Sequence, residues 1–307
     1  MEFEVMWYSS DTMSYDLYFR KKEQQKLSLN EFKEYFEPRQ NYKVEDKEAF
    51  YQNENTGVYF SFNHQNVDTA DKDSGTPISS ISLNLNFFRP HVFALEAEIE
   101  VANLVKTFEF LIEDPQFGGN TSDVYNSEDF IRGWNAGNKV ACESIGKSNP
   151  EVKSISLPAA DIEKYWRWNY NLNLLREEKG ENIFVPRILF HLVNGEVKSF
   201  VTWSDAIATV FPFVDTVIVY RDELATAKSF SIGKEPDLVT LSYNEVLPIL
   251  NDAVVTDASQ QYKTFQPDLV SFEQYLSIRK WVTSLKTSPN KPEVVSVDRI
   301  MDKELVN

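Results

Sequence analysis

The run Ile78-Ser79-Ser80-Ile81-Ser82-Leu83-Asn84-Leu85-Asn86-Phe87 constrains the fold more than any other stretch, because from Ser80 onward apolar and polar side chains alternate with a period of two. A β-strand sends successive side chains to opposite faces, so Ile81, Leu83, Leu85 and Phe87 point one way and Ser80, Ser82, Asn84 and Asn86 the other. Such a strand belongs in a sheet with one buried face and one face that is wet or hydrogen-bonded.

The elements around it follow a definite order. Residues 15–19 read as a strand, and residues 29–36 as a helix. Ser28, with Glu31 three residues on, opens that helix as a capping box in which each residue's side chain satisfies the other's backbone amide. Residues 49–52 and 58–62 read as strands on either side of the turn residues 53–57, and a polar loop, 64–75, leads into the alternating run. Val101, Leu104, Val105, Phe108, Leu111 and Ile112 then keep the three-and-four spacing of one helical stripe. This order of strand, helix, hairpin and helix predicts an α+β protein whose N-terminal domain is a ferredoxin-like α/β sandwich.

A further helix is expected at residues 128–145, with Phe130, Ile131, Trp134, Ala141, Cys142 and Ile145 on its apolar side. Ser148-Asn149-Pro150 ends it and divides the chain into an N-terminal domain, residues 1–148, and a mixed α/β domain, residues 149–307. The second half opens on an aromatic helix at 161–178 carrying Tyr165, Trp166, Trp168 and Tyr170. A hairpin follows, its strands at 188–193 and 198–203 flanking Asn194-Gly195, then a short helix at 205–211 and a buried strand at 214–220. Ser242 with Glu245, and Ser271 with Gln274, are two more capping boxes, opening helices at 243–252 and 272–285. The tail after Pro289 reads as an irregular, weakly packed arm.

Charge narrows the choice of partner. The chain has 31 Lys and Arg against 47 Asp and Glu, a formal −16, and residues 1–150 hold 14 of the former and 25 of the latter, a formal −11. Such a field repels nucleic-acid phosphates and anionic lipid and speeds encounter with a basic protein; solubility alone is the competing explanation. The longest apolar stretch, residues 206–220, is broken by Thr209, Pro212, Asp215 and Thr216 and falls short of the roughly 20 residues that span a bilayer. Glu2 and Glu4 in the opening segment argue against a secretory leader, and Cys142, the lone cysteine, excludes an internal disulfide, so the expected setting is the cytoplasm.

No nucleophile elbow, phosphate-binding lysine loop or dinucleotide glycine pattern occurs, and His64, His91 and His191 lack ligand spacing. No metal, cofactor or catalytic residue is therefore assigned. Gly118-Gly119-Asn120-Thr121 reads as a turn, and the glycosylation triplet Asn120-Thr121-Ser122 as a chance match. Glu96, Glu98 and Glu100 alternate, with Arg89 and His91 upstream. In an extended chain all three carboxylates would share a face and could hold a cation. In a helix Glu96 and Glu100 would sit together near the N-terminus, where the dipole favours negative charge; that reading is the cheaper one. Arg89 with Glu96 or Glu98 is the leading polar constellation.

In the helix at 128–145, Gly133 and Gly137 each cost about 1 kcal/mol relative to alanine. Their spacing of four invites a backbone or a ligand onto that side, beside Trp134 and Asn138; a buried asparagine bonding a neighbouring loop is the plainer reading of Asn138. The binding candidates are thus Arg89, Glu96, Glu98, Glu100, Trp134 and Asn138. Asp215, within an apolar strand, reads as a satisfied buried acid.

Three stretches carry a resemblance. They are Tyr15-Asp16-Leu17-Tyr18-Phe19, close after Met13, a second possible start; the stretch from Tyr51 through Asn53 and Glu54 to Asn55-Thr56-Gly57-Val58-Tyr59-Phe60-Ser61-Phe62; and Asn86-Phe87-Phe88-Arg89-Pro90. Over residues 13–140 the chain resembles bacterial proteins of uncharacterised function, some of which look like immunity proteins encoded beside secreted toxins. The resemblance implies a bacterial cytoplasmic setting and carries over no functional residue; together with the concentrated negative charge and the absence of catalytic motifs it leads to a protein that neutralises a basic toxin by occlusion. Two other readings stay open: a hydrolase acting on a small or cationic substrate through Glu96, Glu98 and Asp114, and a non-catalytic regulatory subunit.

Overall fold

The structure is a computed structural model that describes residues 13–21, 27–65, 81–117, 124–148, 155–221, 223–224, 237–250, 253–257, 262–288 and 291–306. The class is α+β. The chain divides into two compact units, one of Met1–Ile162 with Val297–Asn307 and one of Glu163–Ser296. The division thus falls after Ile162 and not at Ser148-Asn149-Pro150, and the last eleven residues return to the first unit.

In the first unit β1 (Ser14–Arg20), α1 (Leu29–Phe36), β2 (Tyr42–Glu45), β3 (Glu48–Gln52), β4 (Tyr59–His64), β5 (Ile81–Asn86), α2 (Val92–Phe108) and β6 (Leu111–Glu113) follow one another. The strands form one antiparallel sheet of order β2-β3-β4-β5-β1-β6. A ferredoxin-like sandwich, built β-α-β-β-α-β, has four strands; here the hairpin β2–β3 extends one edge of a six-stranded sheet. The Ser28–Glu31 capping box forms, and α1 spans the expected residues. The stripe expected through Leu111 and Ile112 is corrected. Glu109 turns left-handed at φ 52° and stops α2, and the two apolar residues pair instead with Arg20 and Phe19.

Register lays out two faces. Leu17, Phe19, Phe60, Phe62, Leu83 and Leu85 are buried on one of them, where the ring of Phe36 stacks 5.2 Å from that of Phe62. On the other, Glu45, Glu48, Asn63, Ser82, Tyr18 and Glu113 stand opposite one another, one per strand. A second row, Lys43, Phe50, Ser61, Asn84 and Asp16, runs beside it. The alternation read from one strand thus extends across the whole sheet.

A long helix, α3 (Ser127–Ser148), lies against the buried face through Phe130, whose ring is 5.7 Å from that of Tyr15. β7 (Ser156–Leu157) and α4 (Ala159–Tyr170) follow. The second unit continues with α5 (Leu172–Lys179), β8 (Leu189–Val193), β9 (Glu196–Ser204), β10 (Thr209–Pro212), β11 (Thr216–Tyr220), β12 (Leu238–Ser242), α6 (Tyr243–Leu250), β13 (Val254–Thr256), β14 (Tyr262–Phe265), α7 (Phe272–Ser284) and β15 (Glu293–Val295). Its sheets are β12-β11-β9-β8-β15, in which β9 and β11 run parallel, and β10-β14-β13. Asn194 and Gly195 turn the β8–β9 hairpin at φ 51° and 82°, as two positive-φ residues do in the tight turn that matches strand twist. The helix expected at 205–211 is absent: Asp205 and Ala206 take φ 45° and 58°, and the chain enters β10. The tail is also corrected. β16 (Met301–Asp302) pairs parallel with β7, α8 (Lys303–Val306) follows, and Ile300, Met301, Asp302 and Val306 are buried.

Candidate functional site

The sequence-derived candidates gather around α2 and the β5–α2 loop, but they serve different neighbours. Glu96 is fully buried. Its Oε1 accepts hydrogen bonds from Tyr51 OH at 2.8 Å, Asn53 Nδ2 at 2.7 Å and Thr56 Oγ1 at 3.1 Å. These donors frame the turn after β3, in which Gly57 takes φ 78° and donates its amide to Asn53 O. A β-carbon at Gly57 would stand 2.7 Å from Val297 Cγ1, so glycine is required there by conformation and by space alike. The carboxylate thus ties down the turn between β3 and β4 alongside that turn's own backbone bonds.

One turn on, Glu100 Oε2 accepts from Arg39 Nη2 at 3.2 Å and Tyr42 OH at 3.0 Å. Burial, and then the facing carboxylates, push the Tyr42 and Tyr51 phenols above their ordinary range, keeping both as donors. Glu98 lies on another side of the helix and accepts from Tyr125 OH at 2.8 Å and Ser127 Oγ at 2.5 Å, tying α2 to the start of α3. The three carboxylates therefore do not share a face. The helix-dipole explanation fails as well, since α2 begins at Val92 and has no acid in its first turn.

Arg89 turns to a different neighbour: its Nε and Nη2 donate to Tyr59 OH at 3.1 and 2.7 Å. Tyr59 in turn lies 3.4 Å from Asp298 Oδ2. Asn138 is fully buried and clamps the loop: its Oδ1 accepts from Phe88 N at 2.6 Å and its Nδ2 donates to Arg89 O at 2.8 Å. That clamp holds Phe88 at φ 61°, a left-handed conformation unfavourable for a bulky side chain. Asn138 is thus the loop-bonding asparagine of the plainer reading. Trp134 is fully buried, 6.2 Å from the Phe87 ring, and its Nε1 has no hydrogen-bond partner among the described residues. The close approach expected at Gly137 comes from a side chain: a β-carbon there would stand 2.7 Å from Phe87 Cε1.

The returning C-terminal segment supplies what the sequence reading missed. Asp302, buried in β16, accepts from His91 N at 2.8 Å and places Oδ1 2.7 Å from His91 Nδ1. Nothing near either residue signals a pair 211 positions apart in sequence. Cys142 packs beside it with Met301 and Val306, and burial, followed by the charge of Asp302, pushes its thiol up to about 12, so it is no nucleophile at neutral pH.

No family model, curated protein or solved structure matches this chain. Chemistry must therefore be read from the groups themselves.

Asp114, named with the glutamates in the hydrolase reading, accepts from Tyr15 OH. In the second unit Asp215 is exposed, which corrects its reading as a buried acid, and its Oδ2 accepts from Ser199 N and Oγ at 2.8 and 2.7 Å. His191 bonds Thr216 Oγ1 at 2.9 Å, and Tyr165 and Trp168 turn into that unit's own core. Among the described residues no group of three or more His, Cys, Asp or Glu could hold a metal ion, and no helix is long and apolar enough to cross a membrane. The 64–75 loop, beyond Gln65, and residues 118–122 lie outside the described residues.

Proposed function

We propose that this chain is a binding protein of the immunity type, which occludes the active-site cleft of a basic toxin with an acidic surface of its first unit. The observation that carries the reading is the division of labour among acids. Glu96, Glu98, Glu100 and Asp114 are engaged by side chains of the same unit, whereas Glu45, Asp46 and Glu48 stand exposed on the β2–β3 hairpin. Glu45 and Glu48 lie directly opposite each other, a like-charge pair that is destabilising. Lys43 offsets part of this, 2.5 Å from Glu45. A basic partner would offset more, and the unit's excess of acid would steer it.

The test is protection in cells. The chain is co-expressed with the secreted protein encoded by the adjacent gene, as wild type and as Glu45→Lys/Glu48→Lys. Wild type is expected to restore growth and the double reversal to lose that protection while folding normally. No protection by wild type, together with turnover of a small cationic substrate that Glu98→Gln abolishes, would replace this reading with the hydrolase.

A further inference from the structure

The exposed acids sit at one rim of a larger feature, the outward face of the six-stranded sheet. Among the described residues, the helices α1, α2 and α3 engage the opposite side: α1 through Phe36 on Phe62, α2 through Glu96 on Tyr51, α3 through Phe130 on Tyr15. The outward face is polar in every strand. Its middle holds uncharged hydrogen-bonding groups, the part-exposed Asn63 and Asn84 beside buried Ser61 and Ser82, together with the part-exposed rings of Tyr18 and Phe50. Its ends carry Glu45 and Glu48 with Lys43 at one edge and Asp16 and Glu113 with Arg20 at the other, an excess of acid.

We infer that this face is the docking surface for a basic protein partner, an inference that rests on the binding function proposed above. Three physical points support it. Strands about 4.8 Å apart and about 3.4 Å per residue give six strands a flat face of roughly 500 Å². That is more than half of the roughly 800 Å² each partner gives to a standard interface, so the footprint must run onto the acidic hairpin at the rim. Uncharged amides and hydroxyls at the centre cost far less to desolvate than charges, and two aromatic rings there supply anchors. The excess of acid at both ends matches a surface of lysine and arginine.

The experiment uses the full chain and the purified toxic domain of the neighbouring gene product, inactivated by mutation. Asn63→Arg places a positive charge at the centre of the face, and Glu34→Gln on the exposed side of α1 makes the same change in net charge away from it. Asn63→Arg is expected to weaken binding at least a hundredfold, and Glu34→Gln less than threefold, with unchanged thermal melting for both. Hydroxyl-radical footprinting of the unmodified complex needs no variant and is expected to protect Tyr18 and Phe50. Wild-type affinity with both rings unprotected overturns the docking face and leaves the binding function standing. Failure of the wild type to bind overturns the function and the face together.

Discussion

Replacing Glu96 separates a structural carboxylate from a catalytic one. Glu96→Ala strands three buried donors, Tyr51 OH, Asn53 Nδ2 and Thr56 Oγ1. An unsatisfied buried donor costs about 1–3 kcal/mol; because all three share one oxygen and the turn can relax, the total expected is about 3–5 kcal/mol. That is a large part of the roughly 5–15 kcal/mol by which domains are stable. Glu96→Gln keeps an acceptor oxygen and loses only charge assistance, so about 1–2 kcal/mol is expected. Urea unfolding followed by tryptophan fluorescence, with amide exchange at Asn53 and Gly57 read by NMR, measures both quantities. The amides should lose protection in Glu96→Ala before the rest of the sheet does. A Glu96→Ala protein within 1 kcal/mol of wild type, its turn still protected, would refute the claim that this carboxylate pins the turn.

Other expectations follow from the same packing. Gly137→Ala gains about 1 kcal/mol of helix propensity but drives a β-carbon into the Phe87 ring, so it should destabilise by up to about 2 kcal/mol; in a Phe87→Leu background the same change should stabilise, and calorimetry of the cycle checks the sign. Native Cys142 should react with a thiol reagent at pH 8 about a thousandfold more slowly than an exposed cysteine, a difference that urea should abolish. Burial lowers the His191 pKa below its ordinary 6.5, so the unfolded chain binds the proton first: stability of the second unit is full above that value and falls as the pH drops through it. His191→Asn should flatten this dependence between pH 7 and 5, as followed by thermal melting. Arg221, buried with Nη1 on the carbonyls of Val282, Thr283 and Leu285 at the end of α7 and Nη2 2.7 Å from Asp237, should not tolerate Met, which leaves those carbonyls without their donor and removes the positive charge facing Asp237, at a cost of about 3–5 kcal/mol.

What was legible in the sequence was local. The boxes at Ser28 and Ser271 form, and Glu245 accepts from Ser242 N and Oγ, because each needs only a residue three positions away. The alternation around Leu83 predicted one buried face and one that is wet or hydrogen-bonded because side-chain period is intrinsic to a strand. The start of α2 was hidden because His91 provides no side-chain cap, and its end because a glutamate, not a glycine, takes the left-handed position. Asn171 likewise divides α4 from α5 within one aromatic run. At the site, Asn138 was readable as a buried asparagine with a loop partner. The roles of Glu96, Asp298 and Asp302 depend on strands and segments brought together from 40 to more than 200 residues away, and no spacing rule reaches that far.

The most direct test of the central claim is the association rate of wild-type protein with the inactivated neighbour-encoded toxin domain across a salt series, set beside that of Glu45→Lys/Glu48→Lys. Exposed charges are screened as the Debye length falls to about 8 Å at physiological strength and further above it, so the wild-type rate should fall at least tenfold between low and high salt, and the reversed protein should begin slow and change little. A wild-type rate independent of salt, or equal to that of the double reversal throughout, would contradict an acidic working surface on the first unit.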